Sequence, residues 1–151
     1  MSFLLNTVSP EKAEGEIKAV YDTMIENIGI VPKPIEMSSV SPFFFKSFTD
    51  SIGYFSSHSN LDFTLLAMIR MLSAESCANG FCIEFNGAML KKQGMTNDEI
   101  AETINDPSKA PLPEKDKALL LLVLKAVKIP EEVTQEEVDA LYSFGWTDRD
   151  I

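Results

Sequence analysis

The two cysteines of this chain, Cys77 and Cys82, lie five residues apart in the segment SAESCANGFCIEFNGAML. In a reducing compartment, a close pair of this kind is typically catalytic, metal-bound or inert rather than a structural disulfide. A structural zinc site needs four Cys or His ligands, and the lone His58 is distant in sequence. We therefore predict no metal and no cofactor. Two interpretations stay open: a working thiol pair, or two small side chains that pack as hydrophobes.

The geometry of a helix decides whether the two thiols can meet. On an unbroken helix, residues five apart rise by about 7.5 Å, which exceeds the roughly 7 Å limit on the Cα separation of a disulfide. The Asn79-Gly80 pair predicts a break between two helices, with glycine supplying a left-handed turn. Cys82 would then lie in the first turn of the second helix, where the helix dipole favours a thiolate.

The rest of the sequence predicts an all-α fold of six or more helices, because apolar residues recur at helical spacing and no alternating strand pattern of useful length is present. Ser9-Pro10 predicts a helix start, and the prolines at positions 32, 34 and 42 predict a connector that contains at most one short turn. Two threonine–glutamate pairs predict capping boxes. The predicted helices run from residue 10 to 28, from Pro42 to about 56, from Leu61 to Leu72, from about Phe81 to Lys92, from Thr96, from Glu114 to Lys128, and from Thr134.

Length and charge limit the class of protein. The 151 residues fit one compact unit, with an N-terminal helix and connector over 1–40 and the main helical domain over 41–151. A net charge of -10 predicts no nucleic acid partner and no membrane surface, since both are anionic. The N-terminus has no basic segment before an apolar one, so we predict a soluble, cytoplasmic protein. The ending GWTDRDI predicts a helix start that either frays or lacks its following helix.

Three segments carry a resemblance to a known family: NGFCIEFNGAMLKKQGMTNDEI, EKDKALLLLVLKAV and VTQEEVDALYSFGWTDRDI. From about Pro42 onward, the sequence resembles the carboxymuconolactone decarboxylase and alkylhydroperoxidase D-like (AhpD-like) family. The resemblance implies an all-helical bundle that assembles into homotrimers or homohexamers. It also implies a Cys-x-x-Cys-x-x-x-His motif at a helix start, in which Cys82 matches the second cysteine.

The motif is degenerate in this chain. Asn79 stands in place of the first cysteine, Asn86 in place of the histidine, and Ala67 in place of an upstream glutamate. An asparagine amide can hydrogen-bond but cannot take a proton near neutral pH.

Other residues offer replacements for the missing groups. Cys77 is a candidate for the absent first cysteine, two residues early. Glu75 and Glu84 are the nearest candidates for a replacement base, and their alternative interpretation is that of solvated helix-end charges. The candidate catalytic residues are therefore Cys82, Cys77, Glu75, Glu84 and Asn86.

Three functions follow from these residues. The first is a weak, thiol-dependent, peroxidase-type antioxidant activity in which Cys82 attacks and Cys77 resolves. The second is a cofactor-free lyase or isomerase of the decarboxylase branch, and the third is a non-enzymatic helical assembly or binding protein. We expect a homo-oligomer built on the Phe-rich helix from Ser41 and the helix carrying Cys82. A small-molecule substrate or a reductant partner is implied by the first function.

Overall fold

The computed structural model describes residues 3–151, and within that range the chain forms α-helices and short 3-10 turns with no β-strand. The predicted all-α fold is confirmed. None of the described helices is both long and apolar enough to span a membrane. The helices are α1 (Gly15–Ile28), α2 (Lys33–Ser38), α3 (Pro42–Ser56), α4 (Phe63–Ser76), α5 (Gly80–Lys92), α6 (Asn97–Asn105), α7 (Glu114–Lys128) and α8 (Gln135–Ser143).

The chain forms two compact units, of which the first ends at His58 and contains α1–α3. The units divide the chain at residue 58, whereas the domain boundary predicted from the sequence lies at residue 40. The first unit has its own small core, in which the Tyr21 and Phe45 rings meet edge to face with centroids 6.0 Å apart. Phe45 is buried, whereas the preceding Phe43 and Phe44 are exposed, as expected for three consecutive aromatic residues on one helix.

Two predictions for the first unit need correction. Ser9-Pro10 begins only a 3-10 turn, and α1 starts at Gly15 because the intervening Ala13 and Glu14 are extended. The proline-rich connector contains a complete short helix, α2. Pro34 occupies the second position of that helix, where the missing N–H removes no helical hydrogen bond.

The second unit begins at Ser59 and contains α4–α8. Its core is built on α4 and α7, and Leu65, Leu90 and Leu120 are fully buried in it. Asp62 caps the start of α4, since its Oδ1 accepts a hydrogen bond from the Thr64 amide at 2.7 Å. The helix predicted over Leu61–Leu72 is present as α4, which is apolar on almost every side, but it begins later, at Phe63, and continues to Ser76.

Local caps fix the ends of the later helices in this unit. Both predicted capping boxes are confirmed, at Thr96 with Glu99 and at Thr134 with Glu137. Glu137 also accepts hydrogen bonds from Lys125 Nζ at 2.7 and 2.8 Å, which ties α8 to α7. The Lys125 ammonium and the Thr134 amide lower the pKa of the Glu137 carboxyl.

The C-terminal residues form a hydrogen-bonded turn. The Asp150 carboxylate accepts from the amide and the hydroxyl of Thr147, at 2.8 and 2.7 Å. The Ile151 amide donates to the Thr147 carbonyl at 3.1 Å. Thr147 and Asp150, which were predicted to start a helix, therefore form a single hydrogen-bonded turn.

Candidate functional site

The junction between α4 and α5 is a double cap made by consecutive residues. Cys77 is the C-cap of α4, and Ala78 follows in the left-handed conformation with φ of 50°. The Asn79 amide donates to the Ala74 carbonyl at 3.0 Å, and the Ala78 amide donates to the Glu75 carbonyl at 3.1 Å. This pair of bonds is a Schellman motif, which satisfies the last free carbonyls of a helix.

Asn79 also begins the next helix. Its Oδ1 accepts a hydrogen bond from the Cys82 amide at 3.2 Å, so the same residue that closes α4 is the N-cap of α5. The predicted helix break is confirmed, but the left-handed residue is Ala78 rather than Gly80. A Schellman motif requires that conformation at the first residue beyond the C-cap, and Gly80 is instead the first helical residue of α5.

The break places the two thiols on the facing ends of a helical hairpin. Helices α4 and α5 pack against each other below the turn, where a Cβ on Gly87 would lie 3.9 Å from Met71 Sδ. Cys77 is exposed, Cys82 is half-buried in the first turn of α5, and both are free thiols. The two cysteines therefore lie on separate helices, one at the C-cap of α4 and the other in the first turn of α5.

Asn86, which stands where the family motif has a histidine, is buried within α5. Its Nδ2 donates to the Cys82 carbonyl oxygen at 2.8 Å. The side chain therefore anchors the backbone of Cys82 and has no group that accepts a proton near neutral pH.

The two glutamates lie at the same end of the hairpin but do not contact the thiols. Glu75 is in the last turn of α4 and Glu84 is in the second turn of α5, and both are exposed. Among residues 3–151, neither carboxylate makes a hydrogen bond or an ion pair with Cys77 or Cys82. The structure therefore joins Asn86 to Cys82 by a hydrogen bond, places Cys77 at the end of the preceding helix, and leaves Glu75 and Glu84 exposed.

Sequence reasoning missed one contact of Cys77. The Ser76 hydroxyl oxygen lies 3.7 Å from Cys77 Sγ, with either group able to donate. No signal in the sequence distinguishes this serine from others at helix ends. The capping role of Asn79 was readable, because asparagine three residues before Cys82 has the spacing of an N-cap to the third helical residue.

A hollow of about 300 Å³ lies elsewhere in the second unit, between α7 and α8. Its walls are mostly apolar, and its charged groups, Lys125 and Glu137, are paired with each other. Neither cysteine lines it. The hollow therefore offers no unpaired charged group for acid–base chemistry.

The left-handed Ala78 leads to a prediction about stability. A residue with a Cβ costs about 1–2 kcal/mol in this conformation, whereas glycine adds some entropy to the unfolded chain. Ala78→Gly should therefore raise the free energy of unfolding by about 0.5–1 kcal/mol, measured by urea denaturation followed by circular dichroism. Ala74→Gly is the matched control, since Ala74 lies inside α4 and the same change there should cost about 1 kcal/mol. Destabilisation by both changes would contradict the prediction.

Comparison with known proteins bears on the fold. No family model matches this sequence, and no curated protein matches it either. A solved structure, described as an uncharacterized peroxidase-related protein from Silicibacter sp. TM1040, aligns with a TM-score of 0.77 at 19% identity. The alignment covers 89% of this chain and 71% of that protein. The two proteins therefore share a helical fold.

Proposed function

We propose that this protein is a thiol-dependent peroxidase in which Cys82 is the attacking thiolate and Cys77 is the resolving thiol. The observation that carries the proposal is the double cap at Asn79. It ends α4 at one cysteine and starts α5 so that the other cysteine lies in its first turn. The solved structure with the same fold is described as peroxidase-related, which supports this class of activity.

The reaction has three steps. The Cys82 thiolate attacks the terminal oxygen of a hydroperoxide, the O–O bond breaks, and the leaving alkoxide takes a proton to become an alcohol. Cys82 is then a sulfenic acid. The Cys77 sulfur attacks the Cys82 sulfur, an S–S bond forms, and the hydroxyl of the sulfenic acid leaves as water. An external dithiol then reduces the disulfide by thiol–disulfide exchange and is itself oxidised.

The environment of Cys82 suits the first step. Cys82 is half-buried in the first turn of α5, at the end of a helix where the dipole favours a negative charge. Its backbone is fixed on both sides, since Asn79 accepts from its amide and Asn86 donates to its carbonyl. Cys77 is exposed and lies in a turn, which suits the resolving role because that thiol must approach the other sulfur.

The proposal predicts that oxidation consumes both thiols within one chain. One equivalent of hydrogen peroxide should form an intramolecular disulfide between Cys77 and Cys82, because the turn at residues 77–79 permits their approach. The measurements are thiol titration and the mass of the peptide that carries both residues. Non-reducing electrophoresis should show no covalent dimer. If neither thiol of the native protein reacts with peroxide or with a thiol reagent, the two cysteines have only a packing role and the proposal is wrong.

A further inference from the structure

One line of side chains on α4 reaches solvent although most of the helix is buried. Phe63 and Arg70 are exposed, and Cys77 continues their line one residue beyond the helix. The three residues are spaced by seven, so they lie on one face and successive members are about 10.5 Å apart along the axis. Leu66 and Ala67 border the line and are only 8% and 0% exposed. The only other exposed residues of α4 lie in its last turn.

Arg70 is an unpaired cation in a strongly acidic protein. Acidic residues outnumber basic ones by 23 to 13, yet within residues 3–151 no carboxylate forms an ion pair with Arg70. Surrounding protein desolvates the guanidinium and lowers its pKa, although an arginine remains charged at neutral pH. A partly desolvated guanidinium without an internal partner is suited to bind a carboxylate from outside the chain, with two parallel hydrogen bonds.

We propose that Arg70 binds the carboxylate of the substrate, and that the substrate is a long-chain organic hydroperoxide with an acid group at one end. This inference rests on the proposed peroxidase function. The carboxylate contacts Arg70, the apolar chain follows the line over Ala74, and the hydroperoxide reaches the thiols at the top of the hairpin. The small side chain of Ala74 leaves room for that chain, and about two helical turns separate the backbone of Arg70 from that of Cys77.

The first test compares a fatty-acid hydroperoxide, 13-hydroperoxylinoleic acid, with its methyl ester, which differs only in charge. The wild-type kcat/KM should be about tenfold higher for the acid, and Arg70→Gln should remove most of that preference. Arg70→Lys keeps the positive charge and should retain part of the preference for the acid. Lys128→Gln is the matched control, since Lys128 is an exposed cation on α7 and its loss changes the net charge equally. A preference that is equal in wild type and Arg70→Gln would overturn the inference.

A second test needs no peroxidase turnover. Cys77 can be alkylated in a Cys82→Ser background with iodoacetate, an anion, or with iodoacetamide, its neutral analogue. Arg70→Gln should lower the ratio of the two rates by about two- to threefold at low ionic strength, where charge acts over about 30 Å. Lys128→Gln should leave the ratio unchanged.

The two tests separate the inference from the function on which it rests. If Arg70→Gln lowers the ratio of the iodoacetate rate to the iodoacetamide rate, but neither peroxide is turned over, the peroxidase proposal is wrong and the anion site at Arg70 remains. Turnover of both peroxides at equal rates, with an unchanged alkylation ratio, overturns the anion site alone. Sedimentation of Arg70→Gln should match that of wild type. Dissociation of an oligomer by this change would place Arg70 at an interface between copies and overturn the inference.

Discussion

Cys82→Ser should abolish peroxide turnover. A serine hydroxyl is not deprotonated near neutral pH and does not reduce a peroxide, so no sulfenic acid can form at this position. Cys77→Ser should instead allow a single turnover that stops at the Cys82 sulfenic acid, because the resolving sulfur is absent. The measurements are peroxide consumption by wild type and Cys82→Ser with dithiothreitol as the dithiol and, for Cys77→Ser, dimedone capture after one equivalent of peroxide in the absence of added thiol, because an added thiol would itself reduce the sulfenic acid.

Each serine variant serves as the control for the other, because both exchange one sulfur for oxygen at the same hairpin. Far-UV circular dichroism should show unchanged helix content in both, since Cys77 is exposed and Cys82 is only half-buried. The peroxidase proposal is wrong if Cys82→Ser consumes peroxide at the wild-type rate. Dimedone capture by Cys82→Ser but not by Cys77→Ser would contradict the assigned roles.

Trp146→Ala should cause a large loss of stability in the second unit. Trp146 is the single tryptophan of the protein and is only 2% exposed. Its indole Nε1 donates to the Lys115 carbonyl at 3.0 Å, and Lys115 Nζ lies 4.1 Å from the ring centroid. The indole therefore ties the C-terminal segment to the first turn of α7. Its removal leaves a cavity and takes away one hydrogen bond to the Lys115 carbonyl, so we expect a cost of about 3–5 kcal/mol in the free energy of unfolding.

Two further variants separate the ring from the hydrogen bond. Trp146→Phe keeps an aromatic ring but loses the indole N–H, so its cost should be smaller, at about 1–2 kcal/mol. Phe144→Ala removes an aromatic side chain that is 44% exposed, and its effect should stay below about 1 kcal/mol. Urea denaturation followed by far-UV circular dichroism measures all three. A cost for Trp146→Ala no larger than that for Phe144→Ala would show that the indole is not an anchor.

Signals within a few residues were sufficient for much of the fold. The helical period predicted α4 and α7, and the Thr96–Glu99 and Thr134–Glu137 pairs predicted two helix starts that the structure confirms. Such signals are readable because a helix and its cap are formed by groups within one or two turns. The break before Cys82 was readable for the same reason.

Neighbouring structure decided the details of the candidate site. The sequence favoured Gly80 as the left-handed residue, but the hydrogen bonds that close α4 require that conformation at Ala78. Nothing near Asn86 indicated that its amide would be buried and bonded to the Cys82 carbonyl.

The sequence by itself determined that this protein is helical, where most of its helices begin, and that its two cysteines flank a break. Tertiary structure decided which sides of those helices are covered. On α4, which is apolar almost all round, periodicity alone could not show that Arg70 would face solvent while Leu66 is buried. The physical reason is that secondary structure depends on nearby residues, whereas burial depends on helices that are distant in sequence and pack together.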